Sequence, residues 1–166
     1  MNRSFTEEEL RRLYKILRDS TNPMALRDLA WMQLLQETSI RVGELAKVKR
    51  HEAERWLRAG FYDLPEGQGK QPARDQATAD DFQLTRIAID ALEYLLRVGQ
   101  EQILRAGKTP GADAALIVGG AGIGISITDI QYRLRSWSSD AGIYAPVNAH
   151  MFFRAKPAAQ LEEASV

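Results

Sequence analysis

The stretch Thr38-Ser39-Ile40-Arg41-Val42-Gly43-Glu44-Leu45 decides how the chain is read. It follows Leu26 to Leu35 (LRDLAWMQLL), where Leu26, Leu29, Ala30, Met32, Leu34 and Leu35 leave almost no polar face. That pattern predicts a helix buried on most sides. Just past it stands Arg41, between Thr38 and Glu44. A guanidinium keeps its charge and presents five donors in a planar fork, a shape suited to phosphate oxygens. Glu44 follows within one helical turn, close enough to steer Arg41 or to pair with it. Local chemistry also admits a plainer reading, a surface Arg–Glu pair at a helix junction.

With 166 residues and 45% hydrophobic content, the chain can bury one domain-sized core. No apolar run reaches the roughly 18 residues of a membrane span. The start, MNRSFTEEEL, has no apolar leader core. Zero cysteines exclude a disulfide framework, thiolate chemistry and a Cys-based zinc site, and no metal or cofactor is expected. Together these features predict a cytoplasmic protein with no membrane partner. The 22 basic and 22 acidic residues cancel, which argues against strong non-specific nucleic-acid binding by the whole surface. A DNA-binding surface must then be a local patch. Between Arg41 and Arg74, eight Lys/Arg face five Asp/Glu, a local excess of positive charge.

Along the chain, Ser4 or Thr6 can cap a first helix, and Thr6 with Glu9 forms a capping-box pattern ahead of an apolar stripe at Leu10, Leu13, Tyr14 and Leu17. Asp19 to Pro23 is a turn cluster. A helix is expected from Gly43 into Lys47-Val48-Lys49-Arg50. Trp56-Leu57, Gly60 to Leu64 and Asp81 to Leu84 read as short strands around the turn-rich Pro65 to Pro72, with a helical reading of Glu52 to Ala59 left open. Thr85 to Arg105 reads as a helix, with Ile89, Leu92, Leu95, Leu96 and Ile103 on one face and Gly107 as its stop. Leu116-Ile117-Val118 then runs into Gly119 to Gly124. That glycine run lacks the Gly-Lys-Ser/Thr ending of a phosphate loop and reads as a connector. Ser126 and Asp129 cap a last helix bearing Ile127, Ile130, Leu134 and Trp137, with Gly142 at its end. Arg133 and Arg135 lie off that stripe.

An apolar helix followed by Thr-x-x-Arg-x-x-Glu-Leu resembles the first arginine motif of the tyrosine recombinases, the family of phage integrases and their chromosome-dimer-resolving relatives. Ser39 stands where the family usually has glycine, and a positive φ there would strain serine. The resemblance runs from about Thr6 to His150. It implies a mainly helical domain with a small antiparallel sheet, like the family's catalytic domain. Residues 1–156 would form a C-terminally truncated version of it and residues 157–166 a flexible tail. The family's separate N-terminal core-binding domain would be missing.

The resemblance also implies site residues. Family members attack a DNA phosphate with a tyrosine and stabilise the developing charge with arginines, a lysine and histidines. Arg41 matches the first arginine. Lys70, in Gly67-Gln68-Gly69-Lys70, takes the hairpin-lysine place, with a plain loop lysine as the alternative. His150, after Ala141-Gly142-Ile143 and Pro146-Val147-Asn148-Ala149, matches the histidine of the second motif. Phe153 then falls where the second arginine belongs, and Arg154 follows it. A one-residue slip would bring Arg154 to that role, at a rotation of about 100° on a helix. Pro157 breaks the helix expected to continue. Tyr14, Tyr62, Tyr94, Tyr132 and Tyr144 all precede His150, and none matches the nucleophile.

These matches imply a DNA-binding, integrase-like domain of mobile-element origin that does not cleave by itself. Its contacts to double-stranded DNA would be Arg41, Lys47, Lys49, Arg50, Lys70 and Arg74. Two alternatives stay open. One is an active recombinase whose tyrosine comes from a partner chain, a homo-oligomer or a missing C-terminal segment. The other is a protein-interaction module that kept the fold.

Overall fold

A computed structural model describes residues 3–63 and 82–153. Helix α1 (Glu7–Asp19) starts as the sequence dictates. The Thr6 hydroxyl accepts from the Glu9 N–H at 3.1 Å, and the Glu9 carboxylate accepts from the Thr6 N–H at 2.9 Å. Both orphan donors are thereby satisfied, with acids at the positive end of the helix. Leu10, Leu13 and Leu17 turn inward. A turn at Asn22, whose side chain accepts from the Met24 N–H at 2.8 Å, leads into α2 (Ala25–Glu37).

Helix α2 is the centre of the molecule. It is buried on nearly every side and packs chiefly along α5 (Arg86–Arg105), with α1 and α7 (His150–Phe153) against its other faces. Helix α6 (Ile127–Asp140) packs against α1 and against the short α3 (Val42–Leu45), and α4 (Arg50–Ala59) packs against α5. Thr85 and Ser126 cap α5 and α6 through their hydroxyls. Gly107 and Gly142 follow these helices in the left-handed region, as expected of helix stops.

Several expectations need correction. Leu26, counted as core, is 47% exposed, whereas Arg27 and Asp28 beside it are buried. Ile127 sits at an exposed first turn rather than in the buried stripe. The helix expected from Gly43 through Arg50 is broken after Leu45. Residues 48–50 instead bond to an extended piece of the chain: Leu116 N–H to the Val48 carbonyl at 2.9 Å, and Arg50 N–H to the Ala114 carbonyl at 2.9 Å. Burying both Val48 and Leu116 on that pairing outweighs one more helical turn. Trp56-Leu57 lies inside α4 and is not a strand. Ala53 and Trp56 are buried with helical spacing, and Gly60, at φ +81°, ends the helix. Ser39 carries no strain, because no described non-glycine residue has a positive φ.

Among the described residues there is no strand beyond isolated antiparallel bridges, at Lys49–Ala115, Phe61–Gln83 and Val118–Gly124. The Phe61–Gln83 bridge is held by Tyr62 N–H to the Phe82 carbonyl and Leu84 N–H to the Gly60 carbonyl, each 2.9 Å. Tyr62 stacks edge-on between Trp56 and Phe82, with ring centroids 6.2 and 5.4 Å away. The turn-rich Pro65 to Pro72 and the residues expected to tail off after Pro157 lie outside the described residues.

Candidate functional site

The turn after α2 is locked from several sides. The Thr38 hydroxyl donates to the Leu34 carbonyl at 2.6 Å and accepts from the Ile40 N–H at 3.2 Å. Ser39 N–H donates to the Tyr62 hydroxyl at 2.8 Å. Ile40 and Leu45 plug the core on either side. Arg41 is the N-cap residue of α3, and its backbone N–H donates to a Glu44 carboxylate oxygen at 3.0 Å. Glu44 therefore acts on Arg41 through the backbone, fixing the point from which the half-buried side chain departs. With the backbone fixed, only side-chain freedom remains to be lost when the guanidinium meets an anion.

His150 opens α7, half-buried, on a segment tied down at both ends. Ala149 N–H donates to the Gln131 side chain of α6 at 3.1 Å. Met151 and Phe152 are buried, and the Phe152 ring meets Phe5 at 4.7 Å. The Arg41 turn and the His150 segment thus rest on the same two supports. Helix α2 carries Arg41 at its end and packs on α7, while α6 holds Ala149 and packs on α3. A Cβ added to Gly43 would lie 3.6 Å from the Ile127 side chain, which measures how closely α3 approaches the first turn of α6.

The remaining expected residues divide. Lys47 is exposed on the turn after α3. Lys49 is exposed and lies 3.7 Å from Asp113, which also lies 3.7 Å from His51. Arg50 is not on the open surface: it is buried and donates to the Leu96 carbonyl at 2.8 Å, joining α4 to α5. Burial pulls its pKa below the usual arginine value. Lys70, Arg74 and Arg154 lie outside the described residues.

The tyrosines differ in reactivity. The Tyr14 hydroxyl donates to Gln36 at 2.6 Å, and burial, reinforced by Glu37, pushes its pKa far up. Tyr94 is also raised by burial. Tyr62 is buried as a structural ring. Only Tyr132 and Tyr144, among the five, are well exposed.

Sequence reasoning missed Asp28. This fully buried carboxylate accepts five hydrogen bonds. One oxygen takes Arg27 Nε (3.1 Å), an Arg27 terminal nitrogen (2.8 Å) and Trp31 Nε1 (2.9 Å). The other takes Arg133 Nε (2.6 Å) and Trp137 Nε1 (2.8 Å). A further Arg27 nitrogen donates to the Val118 carbonyl at 3.0 Å. Asp28 thereby ties α2 to α6 and, through Arg27, to the glycine-rich segment. The signal was present: an Arg-Asp pair inside an apolar helix must find partners, because buried charge is costly unless paired.

No protein-family model matches the chain. Two curated relatives do, each named tyrosine recombinase XerC, from Shewanella sp. (strain W3-18-1) and Shewanella putrefaciens. Each is 31% identical over 134 residues, covering 80% of this chain and 38% of the relative. The chain thus spans well under half the length of these relatives. A crystal structure of XerA recombinase superposes with a TM-score of 0.67 at 20% identity, over 92% of this chain and 48% of that one. That likeness shows a shared, mainly helical fold, and the XerC identity supplies the kinship in sequence. Over the 134 matched residues the chain is related in sequence to the tyrosine recombinases, and the XerA likeness shows the shared fold alone.

Proposed function

We propose that the chain is a recombinase-type DNA-binding domain that grips a backbone phosphate with Arg41 and His150 and does not cleave DNA by itself. The observation that carries this reading is the locked Arg41 turn. Thr38, Ser39 and Glu44 hold its backbone, so the guanidinium leaves from a fixed point on the end of the central helix. Lys47 and Lys49 add exposed positive charge next to it. Lys70 and Arg74, which lie outside the described residues, belong to the same proposed patch. Arg154 is proposed as the second phosphate arginine. Both relatives bear the name recombinase, which supports DNA as the partner and assembly of several copies on it.

The test is duplex binding over a series of salt concentrations. Binding is expected to be modest and to weaken steeply with salt, because few phosphate contacts act mainly through counterion release. Arg41→Ala should weaken binding to all sequences alike and lower the salt slope by about one. Arg50→Ala serves as the contrast: it should lower stability through its lost Leu96 bond, with the salt slope unchanged. A nicked suicide duplex on a denaturing gel checks cleavage. No covalent band is expected from the chain alone, since a nucleophile must sit in line with the leaving oxygen. Salt-independent binding, or none at low salt, refutes the DNA reading. A covalent band lost on mutating Tyr132 or Tyr144 refutes the claim of inactivity. A band appearing only with a second chain added favours a tyrosine supplied in trans.

A further inference from the structure

We propose that the groove between the start of α2, the end of α5, residues 119–125 and α6 docks an acidic, aliphatic peptide segment of a partner protein. The groove holds about 660 Å³. Met24, Ile123 and Ile125 supply apolar lining, and Arg105, Tyr132 and Arg133 supply the polar part. None of the described residues proposed to hold DNA, Arg41, Lys47, Lys49 and His150, lines it, so this site stands apart from that reading.

Arg133 is built for a ligand. Its Nε is anchored on the buried Asp28 at 2.6 Å, yet the side chain remains 26% exposed at the groove. The anchor uses the inner edge of the guanidinium and leaves the terminal nitrogens for an anion outside. The rim is rigid as well. Arg27 grips the Val118 carbonyl, and Gly122 lies so close to α5 that a Cβ there would stand 2.7 Å from the Ala106 Cβ.

Charge and exposure select the occupant. Arg27, Arg105 and Arg133 line the groove, against the Asp129 that lines it and the Asp28 behind it, a surplus of one positive charge. One or two carboxylates answer that surplus. A phosphate backbone needs a series of open cations, and Asp129 stands in its way. Ile123 and Tyr132 meanwhile stand 59% and 65% exposed at the rim. Apolar and aromatic side chains held on a rigid rim beside an arginine are the composition of an interface core rather than of a solvated loop. An aliphatic side chain entering between them gains burial, and a neighbouring carboxylate reaches Arg133.

The experiment is an NMR titration of the ¹⁵N-labelled chain with the capped peptide GLDELEG, and with its uncharged counterpart GLNQLQG. The acidic peptide should shift the amides of Gly119 to Ile125, Arg105 and Tyr132, with the neutral one at least about tenfold weaker. Arg105→Glu leaves the Asp28 contacts untouched, so the fold is kept, and should weaken the acidic peptide about tenfold. Arg133→Gln should do the same, with the Trp137 indole N–H signal reporting whether α6 has held its place. Equal shifts from both peptides, shifts away from the groove, or no shift at millimolar peptide overturn the proposal. So do groove shifts produced by a short DNA duplex and not by the peptide.

Discussion

Asp28→Asn changes one oxygen to a nitrogen and preserves shape, yet it should be among the most damaging single substitutions in the chain. The wild-type carboxylate takes five N–H donors and offers none. An asparagine amide must turn its NH₂ toward one set of these donors. Facing Arg133 and Trp137, it meets two N–H groups with a third. Facing Arg27 and Trp31, it leaves a guanidinium that is 2% exposed without its counter-charge. Breaking a buried ion pair by removing one partner costs about 3–5 kcal/mol. For a domain of this size, each kcal/mol moves the melting temperature by about 2–4 °C, so a fall on the order of 10 °C is expected. Urea unfolding followed by tryptophan fluorescence measures it directly, because Trp31 and Trp137 both touch the altered group. Arg27→Met with Asp28→Leu removes both buried charges but leaves Arg133 Nε and the Trp31 and Trp137 indole N–H groups without their acceptor, so it should recover only part of the loss. A loss below about 1 kcal/mol for Asp28→Asn would show that Asp28 is not the tie between α2 and α6.

Two further outcomes follow from single contacts. Gly122→Ala should destabilise the chain by more than the roughly 1 kcal/mol of an ordinary glycine change, because a φ of +76° and a 2.7 Å approach to Ala106 act together; thermal unfolding measures it, and an unchanged melting temperature refutes the close packing. The Arg3 guanidinium holds the Glu9 carboxyl at a pKa of about 2, below its ordinary 4.5, and the Thr6 backbone adds to the effect. A lowered folded-state pKa contributes stability that is present above about 4.5 and is lost as pH falls toward 2. Glu9→Gln should therefore flatten that part of the acid unfolding curve, and an identical acid limb in the variant would refute the assignment.

The helices were legible where local physics acts alone. Thr6 and Ser126 cap what they were expected to cap, because a hydroxyl before an apolar stripe satisfies orphan N–H groups regardless of the rest of the fold. The Arg41 turn was legible for another reason: its residues are contiguous, so the motif carries its own geometry. The link to His150 came from resemblance, and its physical basis, shared packing on α2 and α6, emerges only when distant segments meet.

What the sequence by itself determined is the capped starts of α1 and α6, the extent of α5, the glycine stops at Gly107 and Gly142, and the kinship carried by the Thr38 to Leu45 stretch. Tertiary structure alone decided which polar residues go inside. Asp28 draws on donors 105 and 109 residues away, so no window along the chain could disclose its partners. Arg50, read as a surface cation, is consumed by a carbonyl 46 residues distant. Val48 left the helical path because Leu116 came alongside it. Each outcome turns on desolvation, a cost set by everything that surrounds a group rather than by its neighbours in sequence. Local order follows from local contacts, and the fate of buried charge is settled only when the chain closes on itself.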